Sequence, residues 1–318
     1  MKRMIIALLC LTIACACASQ KPEHAEYINQ KSDIAEPNSL QLTYAGPTTL
    51  AYFGLPNYDH LNVDGGAGVL YPGGHAAVFL ASVLTHAVIV DSAKEARRSR
   101  IQNQADQVLA PYQEHIDSLS YREMMSGAVT KLSDVGQRFI VSNYYDSTTH
   151  LEGNAWILES NPSFYMLQDE GAILVQNTVV IYSDEEQPKI IYQNIVEVIS
   201  QPYQGDSPHT FWTANNGAKL KNLSVELLAD SVRLAMDDMR HQFSFTTEHD
   251  QTFHFYQEGK KAYERGRLLA VEADRLTIRT LRGWLKSVPI ISDQNPYFIP
   301  LEDSVANLAA VRGIGIYY

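Results

Sequence analysis

Cysteine is nearly missing from this chain. Only three occur in 318 residues, and all of them fall before position 18. That removes a disulfide scaffold, a cysteine nucleophile and a cysteine-ligated metal from everything downstream. Positive charge is also scarce, with 25 Lys+Arg against 36 Asp+Glu, a net charge of −11 and a pI near 5.3. A general nucleic-acid binder needs a basic face, so that class is excluded. No apolar run reaches the ~20 residues of a membrane-spanning helix. GxSxG, HExxH, GxxxxGK[ST] and EF-hand loops are all absent. An apolar content of 45% with 19% charged residues is that of a folded globular chain. It excludes disordered, collagen-like and coiled-coil chains.

What is present begins with MKRMIIALLCLTIACACASQ. Lys2 and Arg3 form a short positive region, Met4–Ile13 is apolar, and small residues follow from Ala14 to Ala18. This layout predicts a secretory signal over 1–17. Three processing routes stay open. Cys17 is the first candidate for lipidation, because Ala14-Cys15-Ala16 precede it and polar residues begin behind it. Cys15 is the alternative lipid site. Ordinary cleavage after Ala16-Cys17-Ala18 is the third route, since neither cysteine has Leu three places before it. A lipid on Cys17 would turn a transient signal into a lasting membrane attachment.

Residues 18–42 are polar and aperiodic and are read as a tether. An α+β domain is expected over 43–248, with a small β-rich module over 249–318. Within the first, glycines at 65, 66, 68, 73 and 74 lead into an apolar run, Ala76–Val90. The spacing predicts one long helix from about His75 to Leu109. At 1.5 Å per residue its apolar half is about 22 Å long, short of a hydrocarbon core. A core helix, an interfacial or inserted segment, and an anion-binding glycine loop are the readings open there. Ser120-Tyr121-Arg122-Glu123 is a capping box and predicts a second helix to about Leu132. Strands are expected at Arg138–Tyr145, Ala155–Glu159, Phe164–Gln168, Ala172–Tyr182 and Lys189–Ser200, the last two joined as a hairpin around Ser183–Pro188. From Asn222 an amphipathic helix should bury Leu223, Leu227, Val232, Ala235, Met239 and Phe243 on one face. Together these predict an antiparallel sheet with a long helix and a second amphipathic helix on one side, followed by the β module.

Candidate chemistry is sparse, and no cofactor is expected. His241, His249, Asp250 and His254 lie close in sequence. His249 and His254 are the candidate metal ligands, although five residues apart on a strand they face opposite sides. Arg267, Arg275, Arg279, Arg282 and Lys286 make the C-terminal module basic within an acidic chain. They could form a cationic stripe facing lipid headgroups or an acidic partner, or stand as solvated positions of half-buried strands.

The signal with its terminal cysteines, the glycine-rich lead, the small-residue helix and AKEARRSRIQNQADQVLAPY together resemble proteobacterial cell-envelope lipoproteins over about residues 1–115. The later hairpin-then-helix order is similar to small modules of periplasmic assembly proteins. This resemblance implies a chain held by a lipid at the periplasmic face of the outer membrane, working with an envelope protein partner, and it carries no catalytic residue. The expected function is a non-catalytic binding or assembly module. Two alternatives remain: an exported hydrolase using Asp, Glu and His groups, and a membrane-inserting or transport-linked subunit working through Ala76–Val90.

Overall fold

The computed structural model describes residues 27–30, 39–43, 50–56, 92–132, 138–141, 155–183, 189–243, 249–257, 260–272 and 274–290. The signal with Cys15 and Cys17, the glycine lead, Ala76–Val90, the turn at 184–188 and the tail beyond 290 lie outside the described residues.

Among the described residues, eleven strands form one sheet. They are β1 (Ile28–Asn29), β2 (Ser39–Thr43), β3 (Ala51–Gly54), β4 (Arg138–Val141), β5 (Ala155–Met166), β6 (Ile173–Tyr182), β7 (Ile190–Ile199), β8 (Gln251–Gln257), β9 (Lys260–Val271), β10 (Arg275–Thr280) and β11 (Leu285–Pro289). The helices are α1 (Ser92–Ala105), α2 (Gln113–Asp117), α3 (Tyr121–Lys131) and α4 (Pro208–Met239). A 3-10 segment, Asp106–Tyr112, separates α1 from α2. The strand order is β4-β2-β5-β6-β7-β11-β10-β9-β8, with β1 beside β7 and β3 beside β5. The α+β class holds, and the sheet is mixed. β5, β6 and β7 form an antiparallel meander, whereas β2, β3 and β11 join it by parallel pairing.

The sheet buries both faces. Along β6 and β7, alternate side chains reach the two sides. Val175, Val179, Ile181, Tyr192, Val196 and Val198 pack with the helices in the main core, while Leu174 and Ile199 belong to a second core on the opposite face. That second core runs on through Val288, Leu276, Ile278, Leu268, Phe253 and Phe255. Strands β8–β11 therefore extend the same sheet on which the first domain is built, through β11 against β7.

The sequence predicts two strands around Asn161–Ser163, but β5 is continuous through Pro162. A proline cannot donate to a ladder and is usually confined to an edge. β2 pairs with β5 up to Glu159 and β3 takes over at Ser163, so Pro162 falls in the gap between them. The Tyr121 hydroxyl fills that gap, donating to the Pro162 carbonyl at 3.0 Å. The predicted tether is shorter than expected for a similar reason. Residues 28–29 and 39–43 are strands, and Leu40 and Leu42, on either side of Gln41, are fully buried.

The capping box forms as expected, with Ser120 Oγ accepting from the Glu123 amide at 3.3 Å. The amphipathic helix starts earlier than Asn222. It opens at Pro208 and breaks at 214–217, where Asn215, Asn216 and Gly217 are all left-handed. From there it lies between the sheet and α3, with Leu227, Val232, Ala235 and Met239 buried as predicted. Gly217 has φ +72°, and a Cβ there would sit 2.7 Å from the His115 ring. Gly217→Ala combines left-handed strain with that clash. It should cost about 1–3 kcal/mol, visible as a lower thermal midpoint, and an unchanged midpoint would contradict this account of the break.

Candidate functional site

The C-terminal basic residues do not form one stripe, and of the five only Arg279 pairs with the end of α4. β10 directs odd-numbered side chains to the helix face, and β11 directs Lys286 to the opposite one. Arg275 is buried; its Nε donates to Ser287 Oγ at 2.9 Å and its Nη2 to the Ile199 carbonyl at 2.6 Å. Arg279 lies two pleat repeats further along and meets Asp238 of α4. Arg267 is exposed and pairs with Asp250 at 2.9 Å. Arg282 is exposed in the β10–β11 turn, its guanidinium 5.1 Å from the centre of the Trp284 ring.

Asp238 is the hub of this region and is 2% exposed. Both of its oxygens accept from the Arg279 guanidinium. Its Oδ2 also accepts from the Tyr192 hydroxyl at 3.1 Å and from Asn194 Nδ2 at 3.3 Å. Asn29 of β1 donates to the Asp238 carbonyl at 3.0 Å, and the Tyr27 ring lies 4.7 Å beneath the Arg279 guanidinium. One ion pair thus ties four pieces together: the first strand, the helix end, β7 and the β10–β11 turn. Burial would lower the Arg279 pKa, but Asp238 outweighs it and holds the guanidinium more firmly protonated than usual.

On the opposite face Lys286 sits between two carboxylates, 3.2 Å from Glu197 Oε2 and 3.3 Å from Glu264 Oε2. Gln176 Nε2 donates to the other oxygen of Glu197 at 3.2 Å, and the Phe255 ring centre is 5.0 Å from the Lys286 nitrogen. Burial alone would favour a neutral amine. The two glutamates reverse that and raise the Lys286 pKa above its ordinary value. A buried amine held charged in this way is a cross-strand tie rather than a nucleophile, which needs the free base.

His249 is exposed at the start of the turn before β8, and the His254 side chain lies outside the described residues. Among the described residues, no group of three or more His, Cys, Asp or Glu could hold a metal ion. No helix among them is long and apolar enough to cross a membrane.

Two features went unread in the sequence. At the β5–β6 turn the buried Tyr112 hydroxyl donates to the Glu170 carboxylate, and Trp212 Nε1 donates to the Glu170 carbonyl at 2.7 Å. Glu170 has φ 55°, so these bonds pin a left-handed turn. The second feature is the outer surface of β9. Tyr263, Arg265 and Arg267 share its helix-side face by alternation, beyond the end of α4, and all three are exposed. The run YERGR carries that signal in plain alternation. Gly266 between the arginines marks a close approach, since a Cβ there would lie 2.1 Å from the Arg279 carbonyl oxygen. Compared with family models, with curated proteins and with solved structures, the chain finds no match.

Proposed function

We propose that this is an exported protein, anchored by a lipid on Cys17, that works in the cell envelope as a non-catalytic binding or assembly module. The observation that carries the reading is the N-terminal pattern. A positive start, a ten-residue apolar run and small residues end at Cys17, and polar sequence follows at once. The absence of cysteine from all later positions suits an oxidising compartment, where a free thiol is a liability. The use made of the buried charges supports the non-catalytic half. Asp238 with Arg279, and Lys286 with Glu197 and Glu264, are each neutralised by partners on other strands or helices. Their geometry serves cohesion between elements. With the basic residues dispersed over two faces, the surface we favour for a partner among the described residues is the outer side of β9 and the β10–β11 turn, where Tyr263 and Leu281 are exposed.

The test is direct. Labelled palmitate should enter the wild-type chain expressed in a Gram-negative host, and the chain should sediment with membranes. Cys17→Ala should abolish the label and move at least tenfold more protein to the soluble fraction, because acyl chains supply most of such an attachment. Unlabelled, soluble wild-type protein would overturn the anchor. Label retained by Cys17→Ala and lost from Cys15→Ala would move it to the neighbouring cysteine.

A further inference from the structure

We infer that the corner formed by Tyr263, Arg265, Leu281 and Arg282 is a membrane-contact surface that lies against anionic lipid headgroups. The inference rests on the anchored reading for its setting, but it concerns a different part of the chain. Three observations converge on that corner.

The first is exposure. Tyr263 and Leu281 are large hydrophobic residues left 61% and 60% exposed. They are neighbours. The Leu281 amide donates to the Arg265 carbonyl at 3.1 Å, which continues the β9–β10 register by one pair beyond Thr280 and Gly266. Residues opposite one another in an antiparallel pair project to the same side. Leu281 therefore stands beside Arg265, with Tyr263 two places along the same strand face.

The second is charge. Residues 260–286 contain eight Lys or Arg and three Asp or Glu, in a chain whose net charge is −11. Of the acids, Glu264 turns to the opposite face and binds Lys286, and Glu272 binds Arg233 at 3.1 Å. Asp274 accepts from Gln201 Nε2 at 3.3 Å, and Arg265 and Arg282 are exposed, Arg282 lying over the Trp284 ring. An apolar side chain flanked by arginines, with a tyrosine at the rim, is the chemistry of a headgroup interface.

The third is reach. Tyr27 packs against this same turn: a Cβ on Gly283 would lie 3.1 Å from the Tyr27 Cβ. Nine residues, 18–26, separate Cys17 from Tyr27. Even fully extended they span only about 30–35 Å. A chain anchored at Cys17 thus holds the β10–β11 turn, together with β1 and the part of β7 it pairs with, within that distance of the lipid surface.

The experiment uses the full chain carrying Cys15→Ala with Cys17→Ala, which removes both candidate acylation sites and therefore reports the protein surface alone. It is titrated against vesicles of phosphatidylglycerol with phosphatidylethanolamine, and against phosphatidylcholine vesicles. Binding is expected to the anionic vesicles and to weaken as salt rises from about 0.05 M to about 0.5 M. Each basic side chain near an anionic surface is worth roughly fivefold in partitioning, so Arg265→Gln with Arg282→Gln should weaken binding about 25-fold. Arg265→Lys with Arg282→Lys should bind like the parent, which separates charge from a folding defect. No binding to anionic vesicles, or equal binding by the glutamine variant, overturns the inference; the second result would point to another segment such as Ala76–Val90. Preference for an acidic polypeptide over the vesicles overturns it in favour of a protein partner. Palmitate labelling of the wild-type chain is read separately, so the anchor and this surface fail independently.

Discussion

Asp238→Ala is expected to be among the most damaging single changes in the chain, at about 3–5 kcal/mol, with a thermal midpoint lower by roughly 10 °C. Alanine removes the acceptor for the Arg279 guanidinium, for the Tyr192 hydroxyl and for the Asn194 amide. The Arg279 side chain is only 16% exposed, so its charge would stay largely buried without a counter-ion. Removing one partner of a buried pair costs far more than the pair itself contributes, because the survivor keeps its desolvation cost. Pairing Asp238→Ala with Arg279→Met should therefore restore much of the loss, leaving the double variant more stable than the sum of the single changes implies. Denaturant unfolding of the four proteins reads the coupling. Strict additivity, or a loss from Asp238→Ala below about 1 kcal/mol, would show that the hub is not the tie described here. The same cycle bears on the N-terminus. Asn29 bonds the Asp238 carbonyl and Tyr27 stacks on Arg279, so Asp238→Ala should also expose the chain near residue 27 to proteolysis.

Some of this architecture was legible because local chemistry and global packing agree. The hairpin of β6 and β7 joins two long β-branched runs, and such runs are buried on both faces whatever surrounds them. The cap at Ser120 and the face of α4 that buries Leu227, Val232, Ala235 and Met239 are likewise short-range signals that tertiary packing only reinforced. The failures have a common cause. Pro162 reads as a strand breaker unless one knows that two separate strands abut β5 and leave a gap at that residue. β1 and β2 are two and five residues long, too short for any periodicity to stand out from a polar stretch. Parallel pairing of β11 with β7 joins residues about ninety positions apart, so the sequence suggested a separate module. The early start of α4 was hidden by Asn215-Asn216-Gly217, which reads as a turn and is one, between two helical pieces.

The basic residues show where pattern reading stops. Alternation assigns Arg275 and Arg279 to one face of β10 and separates them from Lys286. It says nothing about which face a helix will cover. Once the end of α4 brings Asp238 against Arg279, a candidate contact residue becomes an internal tie. Arg265 shows the converse. It was passed over in the sequence, yet it occupies the outward face that the helix does not reach.

Alkaline pH should unfold this protein steeply, and the sign follows from four buried groups. The phenols of Tyr52, Tyr112 and Tyr192 are all pushed above their ordinary value near 10, chiefly by burial. Their neighbours differ: the Tyr52 hydroxyl is 3.3 Å from Ser224 Oγ, whereas Tyr112 and Tyr192 donate to the carboxylates of Glu170 and Asp238. A phenol that keeps its proton in the folded state and loses it in the unfolded one has no effect below about pH 10. Above that, each lowers stability by about 1.4 kcal/mol per pH unit. Lys286 acts in the same direction. Its stabilising charge is fully present below its ordinary value and is lost as pH rises through the raised folded one. Together the four groups can remove about 5–6 kcal/mol per unit past pH ~10.5, against a total stability of about 5–15 kcal/mol. Urea unfolding at a series of pH values should show stability level to about pH 9.5 and then falling away. Phenolate absorbance from the buried tyrosines should appear only as the chain unfolds. Tyr52→Phe is the cleanest variant, since its partner Ser224 also bonds the Leu220 carbonyl at 2.8 Å and is not left unsatisfied. It should flatten the alkaline slope by about 1.4 kcal/mol per unit while changing stability at pH 7 by less than about 1.5 kcal/mol. An unchanged slope in that variant, or full phenolate absorbance from a still-folded protein, would refute the burial account of these tyrosines.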